Sequence, residues 1–182
     1  FAVLEQFVCH GDQISAIVPA RQFLPKPSGP SLNTDVGPDR FLRCAMPTVF
    51  THNVEVTAAS IDAQHHANNV EYVRWMQDAA LAAADALDPG HALMHAAAAT
   101  WVVRTHQVEY VRPALLGDRL AIRTWLSDFT RVSCVRHYEF TRNGEPAVIA
   151  RGRTEWVFVD AATGRPKRIP EDVRARIGAD GE

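Results

Sequence analysis

The stretch Asp62-Ala63-Gln64-His65-His66-Ala67-Asn68-Asn69-Val70-Glu71-Tyr72 decides the reading of this chain. It sets an acid, two histidines and two asparagines directly ahead of an amphipathic run. Asn68 suits a helix N-cap, because its short polar side chain can accept a hydrogen bond from a first-turn amide. Glu71 follows at capping-box spacing. With Asn68 as cap, the amides of Asn69 and Val70 fall in the first turn and lack intrahelical acceptors. They face outward at the positive end of the helix dipole. A carbonyl oxygen that gains charge can be stabilised there. Asp62, earlier on the same loop, can then act as base or nucleophile across from that carbonyl. The same residues admit a plainer reading, with a capped helix, two solvated histidines and an aspartate closing a turn. No metal is expected. Adjacent histidines need a third fixed ligand, and neither an HExxH nor a CxxC spacing is present.

Outward from this stretch, Val70 to Leu87 reads as a helix. Tyr72, Trp75, Met76, Ala79, Ala80 and Ala83 recur at spacings of three and four and form one apolar face. The alanines favour close packing on a neighbouring surface. Asp88, Pro89 and Gly90 end the helix. His91 to Ala99 reads as a second, short helix. Before the loop, Val49 to Val56 alternates as a strand. After it come four strand-like runs, Trp101–Arg112, Arg119–Ser127, Arg131–Arg142 and Ala147–Val159. Gly117-Asp118 and Asn143-Gly144 sit between runs as turn signals. Short connections point to antiparallel pairing, a meander of four strands. Pro170 to Ile177 closes as a short helix. The expected architecture is α+β, one long helix burying its stripe against one curved sheet.

Composition narrows the class. Apolar residues are 47% and charged residues 22% of 182, as in an ordinary globular chain. A net charge of -2 leaves no excess of cations to displace counterions, so no nucleic-acid partner is expected. No apolar run is long enough to span a membrane. No basic segment precedes an apolar stretch at the start, so no signal peptide is expected. Cys9, Cys44 and Cys134 are odd in number and widely spaced, which suggests a reducing, cytoplasmic setting. Five of the eleven prolines lie between Pro25 and Pro47. Residues 1–47 therefore read as a Pro-rich N-terminal extension, and 48–182 as the folded domain.

The pattern Asp62-x-x-x-His66-x-Asn68-Asn69-x-x-Tyr72, followed by Trp75, resembles acyl-CoA thioesterases of the 4-hydroxybenzoyl-CoA thioesterase type, which have the hotdog fold. It is also similar to the Asp-x-Asn-x-His-x-Asn stretch of plant acyl-ACP thioesterases. The likeness continues in Val108-Glu109-Tyr110-Val111-Arg112-Pro113-Ala114 with Leu116-Gly117-Asp118. It resumes in Ala150 to Asp160, in Thr163-Gly164-Arg165-Pro166 and in Ile169-Pro170. It covers about Thr48 to Ile177.

The resemblance implies a hotdog thioesterase domain over 48–182 that hydrolyses an acyl-CoA to free acid and CoA without a cofactor. Acyl-ACP is the alternative substrate, and a non-catalytic acyl-thioester binding protein the alternative class. The family's catalytic acid falls on Asp62, and the amide that polarises the thioester carbonyl on Asn69. His66 and Asn68 match motif positions of supporting role. Tyr72, Gln64 and His65 are expected to touch substrate. Two departures stand out: many members have Gly where this chain has His65, and the plant enzymes have a catalytic Asn where it has Gln64. Arg112, Arg151, Arg153 and Arg165 are candidates for the phosphates of CoA. Cys134 reads as packed rather than reactive. Members of the family pair protomers into a continuous sheet, which implies a homodimer or homotetramer.

Overall fold

The apolar stripe of the sequence is the buried face of a long helix. The computed structural model describes residues 48–178. The expected extension over 1–47, with Cys9 and Cys44, lies outside the described residues, as do residues 179–182. Strand β1 (Phe50–Glu55) leads through a 3-10 turn at Ala58–Ser60 and the polar loop into helix α1 (Asn69–Leu87). Tyr72, Trp75, Met76, Ala79, Ala80 and Ala83 are all buried on α1, as the spacing requires. The expected helix over His91–Ala99 is shorter. A 3-10 turn at Pro89–His91 precedes α2 (Ala92–Ala96), and Ala99 already begins a strand.

Four more strands follow: β2 (Ala99–Tyr110), β3 (Arg119–Ser127), β4 (Ser133–Arg142) and β5 (Val148–Asp160), and then α3 (Glu171–Arg176). The sheet order is β1-β3-β4-β5-β2, with every neighbouring pair antiparallel. The expected four-strand meander is thus corrected to three. β3, β4 and β5 are sequential neighbours, while β2 crosses to the far edge beside β5. The connection over 111–118 carries Pro113 and is too long for a tight hairpin, which frees β2 from β3. The turn signals are realised: Gly117 and Gly144 both adopt left-handed backbone, at φ +82° and +86°.

The helix lies against one face of the sheet. Tyr72, Trp75 and Met76 meet Leu120, Ile122, Tyr138, Phe140, Ile149 and Ala150 in the main core. A second cluster joins Ala99 and Phe158 to Ile169 and Val173, so α3 closes the far end. Gly152 on β5 lets α1 approach the sheet. A Cβ there would stand 2.6 Å from Met76 Sδ and 3.2 Å from Tyr138 Cδ2. Met76 is fully buried, so its side chain must shift within the core to make room. Gly152→Ala is therefore expected to cost about 1–3 kcal/mol, as other overpacked cores do. Chemical denaturation of both proteins measures it.

Candidate active site

The polar loop is folded back on itself by its own backbone. Asp62 N–H donates to His66 O at 3.0 Å, His65 N–H to Asp62 O at 3.1 Å, and Asn68 N–H to Ser60 O at 2.8 Å. Ile61 and Ala67 form an antiparallel bridge across it. The reversal requires a left-handed residue, and His65 supplies it at φ +63°. Histidine tolerates this region better than most residues, though less well than glycine. Backbone geometry thus accounts for His65 at a position where the family often has Gly.

Asp62 is a turn-closing residue and still half-open. Its Oδ1 accepts the Gln64 N–H at 2.8 Å, and its Oδ2 stands 3.6 Å from His66 Nδ1. Asp62 keeps 25% of its side chain exposed and His66 29%, so the carboxylate can still reach a ligand. The other His66 nitrogen, Nε2, meets Gln64 Oε1 at 3.0 Å, and Nδ1 also lies 3.2 Å from Ala67 O. Asp62, Gln64 and His66 therefore form one hydrogen-bonded cluster. The His65 side chain points out from it, exposed.

Asn68 caps the helix, but neither hydrogen bond of the capping box forms. Its Oδ1 accepts the Val70 N–H at 3.0 Å, not that of Glu71. The Asn68 N–H is taken by Ser60, and Glu71 turns instead to Ser60 Oγ and Arg74, at 3.5 and 3.3 Å. The consequence is chemical. Of the two first-turn amides expected to be open, Val70 is satisfied by the cap. Among the described residues, no acceptor meets the Asn69 N–H. The exposed Asn69 amide is left at the positive end of a 19-residue helix.

Tyr72, expected to touch substrate, lies under the loop, 2% exposed. Its ring packs edge-on against Trp75, Tyr110 and Phe140, at centroid distances of 5.2, 5.1 and 5.6 Å. Its hydroxyl accepts the Ala114 N–H at 3.1 Å. Burial raises the Tyr72 hydroxyl above its ordinary pKa, so it stays neutral. Ala114 in turn accepts the Ala67 N–H at 2.8 Å. Neither Ala114 nor Tyr110 is singled out by residue type. Tyr110 Oη donates to Asn69 O at 3.1 Å and pins the helix start to β2. The hint in the sequence was only that the segment 108–114 belongs to the resemblance.

The loop that carries Ala114 is itself anchored. Arg142 Nε donates to Asp118 Oδ2 at 2.7 Å, and Arg142 Nη2 donates to Pro113 O at 2.6 Å. The same Asp118 oxygen accepts the Leu115 N–H at 2.8 Å. Of the candidate phosphate ligands, Arg151 is engaged with Glu109 at 3.4 Å, and Arg112, Arg153 and Arg165 are exposed. Cys134 is buried, and burial pushes its thiol up to about 12, which makes it a poor nucleophile. Among the described residues, no three His, Cys, Asp or Glu side chains converge as a metal site requires. No helix among them is long and apolar enough to cross a membrane.

A family model, the thioesterase-like superfamily, matches residues 56–177. The long-chain acyl-CoA thioesterase FadM of Escherichia coli (strain K12) is 25% identical over 126 residues, covering 68% of this chain and 93% of FadM. The chloroplastic acyl-[acyl-carrier-protein] hydrolase FATB3 of Cuphea viscosissima is 27% identical over 77 residues. That match covers 42% of this chain and 19% of the plant enzyme, so this chain spans about a fifth of its length. Among solved structures, Slr0204, a 1,4-dihydroxy-2-naphthoyl-CoA thioesterase from Synechocystis, superposes with a TM-score of 0.65 at 15% identity. It covers 72% of this chain and 96% of that one. The fold is the hotdog fold, as the resemblance implied.

The Asp118 anchor gives a pH dependence. Burial works against ionisation of Asp118, but the Leu115 N–H and the Arg142 guanidinium outweigh it and hold the carboxyl below the ordinary aspartate value. A carboxyl lowered by folding adds stability that is complete above its unfolded value, about 3.9. That stability is lost as pH falls through the lower folded value. Thermal melts between pH 7 and 2 are expected to fall less steeply in acid for Asp118→Asn, which is already the less stable protein at pH 7.

Proposed function

This chain belongs to the thioesterase-like superfamily, and on that premise we propose that it is an acyl-CoA thioesterase. It takes an acyl-CoA and water to a free acid and CoA, using Asp62 as base or nucleophile and the Asn69 amide as oxyanion donor. The observation that carries this reading is the open Asn69 amide, beside a loop that keeps the Asp62 carboxylate accessible.

A thioester is already activated, so the site needs no strong nucleophile. Asp62 acts in one of two balanced ways. As a base it takes a proton from water, whose oxygen attacks the carbonyl. As a nucleophile it attacks directly, and water then cleaves the mixed anhydride. In both, the C–S bond breaks, CoA leaves as the thiol, and charge on the carbonyl oxygen meets the Asn69 N–H. His66 and Gln64 orient Asp62. Asn68 contributes indirectly, by satisfying Val70 so that Asn69 alone faces the ligand. Tyr72 positions the loop from beneath. The likeness to FadM runs over 93% of that enzyme, against 19% of the plant hydrolase, which favours CoA over ACP as carrier. A cytoplasmic setting suits such a substrate.

Two protomers are inferred to pair through β2. It is 12 residues long and lies at an edge of the sheet, with Val102 and Val103 exposed. A long edge strand presents unpaired backbone N–H and C=O groups, a ready template for pairing with another strand.

Release of thiol from short, long and aromatic acyl-CoAs tests the chemistry, with an enzyme-only blank because the chain carries three cysteines. Asp62→Asn is expected to lower kcat by about 10²–10⁴-fold while sparing substrate binding. Equal turnover in both proteins removes Asp62 from the mechanism. Light scattering after size-exclusion chromatography is expected to find a dimer or larger for the wild type. A Val102→Lys and Val103→Lys double variant is expected to run as a monomer.

A further inference from the structure

A cavity of about 520 Å³ opens beside the C-terminal half of α1, away from the Asp62 loop. It follows the helix from Gln77 to Leu87, about 15 Å at 1.5 Å per residue. Its size is that of a small-molecule site. Large residues fill the α1 face as far as Met76. Beyond it Ala80 and Ala84 leave the space open, and Leu81, Leu93 and Trp101 make the walls apolar.

Its lining includes a buried guanidinium and a buried indole N–H. Arg136 on β4 lines the cavity and is only 7% exposed. Its hydrogen bond is to the Thr124 hydroxyl, 3.2 Å from Nη1, and among the described residues no carboxylate pairs with it. Asp88 also lines the cavity, but its Oδ2 accepts the Leu93 N–H at 3.0 Å. Trp156 on β5 lines the cavity too, diagonal to Arg136 in the register. Its buried indole N–H finds no partner among the described residues. The Tyr138 hydroxyl, two residues along the same face of β4, is buried and likewise unpartnered. Burial raises its pKa, while Thr154 and Trp156 stand within its reach and work against that rise, and the Trp156 indole N–H faces this hydroxyl without a well-formed hydrogen bond. Buried donors are normally satisfied, and a buried guanidinium normally has an anion. His91, His95 and Arg176 add basic side chains around the rest of the cavity.

We propose that this cavity binds an apolar molecule ending in a carboxylate, with the carboxylate held by the Arg136 guanidinium and the Trp156 indole N–H and the apolar body along α1. Two sources carry that chemistry: a free carboxylic acid, or the far end of an acyl chain that itself bears a carboxylate. The second rests on the thioesterase reading and the first does not.

Isothermal titration calorimetry at pH 8 with decanoate and with its neutral counterpart 1-decanol tests the proposal without any turnover. Wild type is expected to bind decanoate at least about tenfold more tightly. Arg136→Met keeps the apolar stem and is expected to erase the preference. Trp156→Phe is expected to reduce it severalfold. Equal affinity for the two probes in wild type overturns the proposal, as does a preference that survives Arg136→Met. Hydrolysis of decanoyl-CoA and of the mono-CoA thioester of decanedioic acid separates the sources. A preference for the diacid thioester that disappears in Arg136→Met assigns the cavity to the acyl end. Decanoate binding that needs Arg136, with no such preference in turnover, assigns it to a free acid. Failure of Asp62→Asn to change turnover would remove the catalytic reading and leave the calorimetric result standing.

Discussion

The backbone of Ala114 ties the loop over 61–67 to the helix that follows it. Its carbonyl accepts the Ala67 N–H, and its N–H donates to the Tyr72 hydroxyl. Each such bond is worth only about 0.5–1.5 kcal/mol net, but leaving the buried partner unmade costs about 1–3 kcal/mol. The bridge works only if the segment 111–118 holds still. Arg142 and Asp118 ensure that, with a charge-assisted bond to each other and bonds to Pro113 O and the Leu115 N–H. The chain of support therefore runs from β4, through a loop without regular structure, to the first turn of α1.

This support explains how a short, polar, partly exposed loop can keep a defined geometry. Asp62 is held by the Gln64 amide and flanked by His66, and His65 accepts a left-handed backbone to make the reversal. The Asn68 cap then sorts the two first-turn amides. It takes Val70 and leaves Asn69 open. A single side-chain hydrogen bond thus decides which first-turn amide stays without an acceptor.

The helix serves two ends differently because its apolar face changes size along its length. Tyr72, Trp75 and Met76 fill the space under the site loop, and Gly152 gives Met76 room. The alanines that follow cannot fill the space beside the sheet. The sequence pattern marks them as a close-packing surface. Ala79, Ala80 and Ala83 are indeed buried, yet Ala80, together with Ala84, also borders a cavity. Packing volume, not polarity pattern, separates these outcomes.

Periodicity in the sequence determined the long helix, its buried face, the strand existence and the two glycine turns, because each is a local property of backbone and side-chain spacing. The loop motif also marked Asp62, His66, Asn68 and Asn69 together, since cap and loop are written within a few residues. The position of β2 beside β5 was not local; it depended on where a long connection delivers the chain. The hydrogen bond from the Ala114 N–H to the Tyr72 hydroxyl was not local either, because the two residues lie 42 positions apart. Arg136 shares alternate positions with Cys134, Tyr138 and Phe140, so its parity hinted at the core. Only the tertiary structure decided that no carboxylate meets it among the described residues, because the partners of a buried charge come from strands and helices far apart in the chain.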